Sequence, residues 1–241
     1  MAVHSLNSFV KFYPDSSKGR LYLGKAMQME IIGDITCDNI IVPYHECYSI
    51  ISDLQFDEIV YQYEQVIWLN DLLGEPHIEL GKLFLFQSNG NRIEDSIVHL
   101  EKGVELNEED LHAHHMLALA LETKGLLTDA VNVLNQAFQK IDFLNNFLHK
   151  LHDISPLITL ARLYVKLNNP NAAVFHYKAA MLRASDEILS SKLSSFIEME
   201  VGNVHLLFNE FDHAESRYRM SLKWKSNAEA HLGLGDSLLH Q

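Results

Sequence analysis

The chain has 241 residues, 47% apolar and 21% charged, and its 32 acidic and 19 basic side chains give a formal net charge of -13. That is enough apolar material to bury a substantial core, as one elongated domain or two compact ones. The acidic balance lacks the basic footprint that neutralising a phosphate backbone demands, which disfavours nucleic acid as a partner.

No apolar run near the N-terminus has the length of a signal peptide, and no later segment approaches the roughly 18 uninterrupted apolar residues of a membrane span. Membrane insertion is therefore not expected. Cys37 and Cys47 are too few for a disulfide framework, which fits a reducing compartment and makes the cytoplasm the expected location.

In chain order, residues 2–16 (AVHSLNSFVKFYPDS) predict a helix ending near Pro14, and residues 20–29 (RLYLGKAMQM) a helix carrying Gly24. Residues 33–43 (GDITCDNIIVP) predict a loop that interrupts the array. Residues 42–53 (VPYHECYSIISD) and 56–66 (FDEIVYQYEQV) then pair as two helices, with Cys47 standing 12 positions before Ile59.

From Gly81 onward the chain repeats itself. A small residue is followed at +3 by a larger one, at +12 by Ala, at +16 by a ring or Leu, and at +19 by another small residue. The sets are Ala118, Leu121, Ala130, Leu134, Ala137; Ala161, Tyr164, Ala173, Tyr177, Ala180; and Gly202, His205, Ala214, Tyr218, Ser221. Gly81, Phe84, Ser96, Leu100 and Gly103 form an earlier set whose small-to-small interval of 12 is stretched to 15 by QSNGNR. Each unit reads as two antiparallel helices joined by a short polar turn, here TKGLLT, LNNPNA and FNEFDH. Small residues let the two helices approach, and bulky ones fill the space between neighbouring pairs.

The 34 residues from Ser96 to Ala130 match the period of the tetratricopeptide repeat (TPR) family, and the chain resembles that family over most of its length. The resemblance implies an all-α, right-handed superhelical solenoid of antiparallel helix pairs. It has about five to six repeats and forms a single array over 1–241. Helix extensions are expected near 141–153 and 186–198. In this register residues 2–16 form a second helix ending in the family's proline, and 228–239 (AEAHLGLGDSLL) a first helix with Gly235 and Leu238. An array that starts in a second helix and stops in a first one reads as a fragment of a longer protein, since stacked repeats need polar caps.

Family members present the first helix of each unit on a concave face suited to extended peptides or partner helices. Carried onto this register, that groove holds Ile78, Lys82 and Leu85; His112, His115 and Leu119; Ile158, Arg162 and Val165; and Met199, Asn203 and Leu206. Lys82 and Arg162 stand as isolated cations able to receive carboxylates or carbonyl oxygens, while Ile78, Leu119 and Ile158 take apolar side chains. One TPR subclass clamps the C-terminal carboxylate of chaperones. The places that would carry its Lys, Asn and Lys/Arg hold Ile78/Lys82, His115/Leu119 and Ile158/Arg162, so that pattern is absent.

His112 and His115, at i and i+3, could supply two ligands of a zinc site, and His149 and His152 share the spacing. No HExxH, cysteine cluster, GxxxxGK[ST], GxSxG or GxGxxG accompanies them. In the register His114 falls on the packing side and His112 and His115 on the groove side. Asn107 to His112 reads as a turn and helix start, and Trp68 and Trp224 as packing residues.

The sequence therefore predicts a non-catalytic protein-interaction scaffold that binds a protein or peptide partner, with no cofactor and no metal. A homodimer through the end repeats is a further expectation. The next readings in order are a regulatory or targeting segment of a larger enzyme or multiprotein machine, and last a metal-dependent hydrolase.

Overall fold

The computed structural model describes residues 1–32, 53–87, 92–145, 153–184 and 191–241. Among them are twelve α-helices and no β-strand: α1 (Ala2–Phe12), α2 (Ser17–Ile32), α3 (Asp53–Leu69), α4 (Gly74–Gln87), α5 (Ile93–Leu106), α6 (Leu111–Lys124), α7 (Leu127–Asn145), α8 (Ser155–Lys166), α9 (Pro170–Arg183), α10 (Ser191–Leu207), α11 (Phe211–Trp224) and α12 (Ala228–Leu239). The chain divides into two compact units, Met1–Val133 and Leu134–Gln241, with the division inside α7.

In the first unit each helix packs on the next from α1 to α6, and α4 also touches α6. In the second, α8 packs on α9, α9 on α10, α10 on α11 and α11 on α12, and α10 also reaches α12. Contact between successive first helices, α4 with α6 and α10 with α12, is what stacking one pair on the next requires.

The repeated positions form the core in both units. Ser96, Leu100, Ala130, Leu134, Ala173, Ala180, Ala214, Tyr218 and Ser221 are each buried to within rounding of zero exposure. The first small residue of a set is small because of what lies opposite it. A Cβ on Gly81 would stand 2.4 Å from Leu100, and one on Gly202 would stand 2.8 Å from the Tyr218 ring. Where the small residue is serine, its hydroxyl is satisfied across the pair. Ser96 Oγ donates to the Gly81 carbonyl at 2.8 Å, and Ser221 Oγ donates to the Ser195 carbonyl at 2.7 Å.

The turns follow their sequences. Asp110 caps α6, accepting from the backbone N–H of His112 (2.9 Å) and Ala113 (3.2 Å), a cap worth about 1 kcal/mol. Gly125 ends α6 in the left-handed region at φ 86, where a side chain would be strained. Asn169 caps α9 ahead of Pro170.

Two expectations are revised, and a third residue set is placed. Gly24 on α2 lies against the Tyr63 ring, as Gly202 lies against Tyr218, so α2 takes the first-helix place beside α3. Tyr63 stands 39 positions after Gly24, whereas Tyr218 stands 16 after Gly202. It is α2 that packs on α3, in the place expected of the helix at 42–53. The expected loop at 33–43 and most of the helix expected at 42–53 lie outside the described residues. Trp68 and Trp224 are exposed, at 77% and 51%; Trp68 follows the inward-facing Val66 by two positions, about 200° around the helix, and so points away from the pair. In α12, Ala230, Gly233 and Ser237 are buried, with Gly233 against Tyr218. Gly235 has open space where its Cβ would stand and Leu238 is exposed, because both lie on the side of α12 turned from α11.

Of the expected extensions, α7 continues to Asn145 and α10 begins at Ser191; the remainder of each lies outside the described residues.

Candidate functional site

The predicted groove residues of the first unit lie on α4 and α6. Ile78 is 4% exposed and Leu85 is buried. Lys82 is not isolated: its ammonium pairs with the Glu79 carboxylate one turn earlier at 3.1 Å, and both side chains are only 13% exposed. The reason is local, since an acid three positions before a base on one helix face is placed to neutralise it. On α6, His112 and Leu119 are half-buried and His115 is buried at 1% exposure. His114 is buried as the register requires, with its Nδ1 2.8 Å from the Asp110 carbonyl. Among the described residues no group of three or more His, Cys, Asp or Glu side chains could hold a metal ion. His149 and His152 lie outside the described residues.

In the second unit the residues lie on α8 and α10. Ile158 and Met199 are buried, Val165 and Leu206 are half-buried, and Arg162 and Asn203 are exposed. Asn203 is tied to a tyrosine from a second helix, and Arg162 lies beside another. Tyr218 on α11 lays its ring over Gly202 and donates its hydroxyl to Asn203 Oδ1 at 2.7 Å, which fixes which end of the amide is acceptor. Burial, with the Asp236 and Glu200 carboxylates, pushes the Tyr218 phenol up to about 12, so it stays a donor.

Tyr177 on α9 donates to Glu200 Oε2 on α10 at 3.0 Å. Burial and the Glu200 carboxylate raise the Tyr177 phenol, and the Arg162 guanidinium opposes them. Arg162 also lies over the Phe196 ring, 5.9 Å from its centroid, within the range of a cation–π contact. Arg162 is therefore no more isolated than Lys82, but it stays open to solvent.

Sequence reasoning assigned Tyr177 and Tyr218 to packing and left Glu79, Phe196 and Glu200 without a role. The i,i+3 spacing of Glu79 and Lys82 is visible in the sequence; the approach of Tyr177 to Glu200, 23 positions apart, needs the stacked helices.

No protein-family model and no curated protein matches the chain. Solved structures do. The chain is similar to BtubC (BKLC) from P. vanneervenii, with a TM-score of 0.63 and 15% identity over 93% of this chain and 87% of that one. It is similar to the APC/C hetero-tetramer Cut9-Hcn1, with a TM-score of 0.57 and 16% identity over 97% of this chain and 45% of that one. It is also similar to YrrB, a TPR protein with an unusual peptide-binding site, with a TM-score of 0.55 and 13% identity over 86% of this chain and 94% of that one. The fold is an all-α helical repeat of the TPR type. Identities this low establish the fold and nothing of the partner.

Proposed function

We propose that the protein is a non-catalytic interaction scaffold that binds an extended peptide or partner helix along the first-helix face of its repeats, with the 1–241 chain acting as one array. The observation that carries this reading is on α8 and α10. There two polar side chains, Arg162 and Asn203, are exposed; Asn203 is held by the buried Tyr218 hydroxyl, and Arg162 lies over the Phe196 ring beside the Tyr177–Glu200 pair. With Asn203 Oδ1 occupied by the Tyr218 hydroxyl, the amide's two N–H donors are left for a carbonyl of the partner's backbone. Arg162 supplies a forked donor for a carboxylate, and the half-buried Val165 and Leu206 supply apolar contact. Groups fixed before binding lose little freedom on binding.

In the first unit the proposed groove residues are Lys82 and His112, with Ile78, His115 and Leu119 there, and Ile158 and Met199 in the second unit, as buried or half-buried packing. That YrrB is described as having a peptide-binding site fits this reading. Among the described residues no helix is long and apolar enough to cross a membrane; a cytoplasmic setting remains part of the proposal. The test is affinity capture with the whole chain, followed by quantitative binding of the captured partner to the Arg162→Glu and Asn203→Ala variants. The reading requires both to weaken binding. If capture and affinity are unchanged in both, the face is not the binding surface.

A further inference from the structure

His77 on the first turn of α4 and His99 on α5 have no part in the reading above. Their Nδ1 atoms are 3.0 Å apart, with ring centroids separated by 5.2 Å and planes inclined by 37°. At that distance one Nδ1 carries a proton and donates to the lone pair of the other, so the two rings are held as opposite tautomers. Both rings are half-buried and therefore reachable from solvent. Two nitrogens each about 2.0–2.1 Å from one metal ion, and 3.0 Å from each other, subtend roughly 91–97° at the metal. This is the angle between neighbouring ligands in a square-planar or tetragonal site, and it is narrower than a tetrahedral ion requires.

We infer that His77 and His99 form a chelating pair for a divalent late transition metal of tetragonal preference, copper(II) foremost, bound through both Nδ1 atoms with water in the remaining positions. Binding moves the shared proton from one Nδ1 to that ring's own Nε2. Each lone pair swings roughly 40° off the line joining the nitrogens, within the broad range of histidine χ2.

The surroundings support the pair. Phe84, with its ring centroid 5.6 Å from that of His99, walls one side. The neighbouring cations are engaged by carboxylates, Arg92 by Asp95 and Lys102 by Glu105, each at 2.9 Å. Burial comes first among the causes that lower both imidazoles below the ordinary 6.5, followed by His99 and Lys102 for His77. For His99, Arg92 adds to the lowering and Asp95 opposes it. Both rings are thus neutral at pH 7.

The test is a copper(II) titration of the full chain carrying His4→Gln, which removes an imidazole beside the amino terminus as a competitor. Electron paramagnetic resonance of the tightest site should report two imidazole nitrogens, and His77→Gln or His99→Gln should each weaken that site at least about tenfold, while His112→Gln leaves it unchanged. Line broadening of the histidine ring protons at low copper gives a readout that needs no variant at 77 or 99. The signals of these two rings should broaden first. If the tightest site survives both substitutions, or if other histidines broaden first, the inference is overturned.

Discussion

The two units use one repeated framework and present different first-helix faces. On α4, Lys82 is neutralised by Glu79 and nearly withdrawn from solvent. On α8 and α10, Arg162 and Asn203 remain exposed; Tyr218 steers Asn203, and Arg162 lies over Phe196 beside the Tyr177–Glu200 pair. The difference turns on the +16 position. Leu100 fills the space over Gly81 and ends there. Tyr218 fills the equivalent space over Gly202, and its hydroxyl continues to the polar residue beside it. Tyr63 repeats the device in the first unit, donating to Gln28 at 3.0 Å, but Gln28 is itself buried at 7% exposure. A tyrosine at this position thus links core packing to polar order on the face, and it serves binding only where the residue it holds stays in solvent.

The sharpest way to break the comparison is to remove that ring. Tyr218→Ala and Tyr63→Ala should each cost about 3–5 kcal/mol, as expected for a fully buried ring. Native-state hydrogen exchange should localise the loss to α10–α12 in the first case and α2–α3 in the second. If both variants loosened the same helices, the two units would not be separately packed. Next in size is the charge reversal at the face. Arg162→Glu should weaken partner binding by about 2 kcal/mol, the scale of an interface hot spot, whereas Lys82→Glu should do less because its ammonium already has a carboxylate. Titration calorimetry with the captured partner measures both, and an equal loss would mean that the first unit contributes as much as the second.

Tyr218→Phe is the finer cut. It keeps the ring and removes the hydroxyl, and should cost about 1 kcal/mol in denaturant unfolding. Its effect on binding should match that of Asn203→Ala if orientation of the amide is what matters.

The smallest effect concerns pH. Burial holds the His176 imidazole, stacked on Tyr164, at a pKa of about 4, against an ordinary 6.5. Between these values the unfolded chain binds more protons than the folded one, so stability present at neutral pH is lost as pH falls from about 6.5 towards 4. His176→Phe should flatten that part of the stability profile, and an unchanged slope would assign it to another group.

Much of the fold was legible in the sequence because it rests on local spacing. The intervals among Gly202, Ala214, Tyr218 and Ser221 are set by helical geometry and by the need for small residues where two helices touch, and those residues are buried as the spacing requires. The pairing of α2 with α3 was not legible: the interrupting segment at 33–43 was, but the interval of 12 from Cys47 to Ile59 pointed to 42–53 as the first helix, whereas Gly24 lies against Tyr63. The candidate site was legible only in outline. Arg162 and Asn203 sit in register, but sequence position carries no measure of exposure, and the same register includes Ile78, His115, Ile158 and Met199, all buried.

The sequence by itself determined that the chain is a helical repeat and which residues of each pair touch, because those contacts are local in register and depend on side-chain size. Tertiary structure alone decided which face residues stay in solvent, which tyrosine orients which polar group, and that His77 meets His99. Each of these depends on where one helix stops over its neighbour, to within the few tenths of an ångström that separate a hydrogen bond from open space.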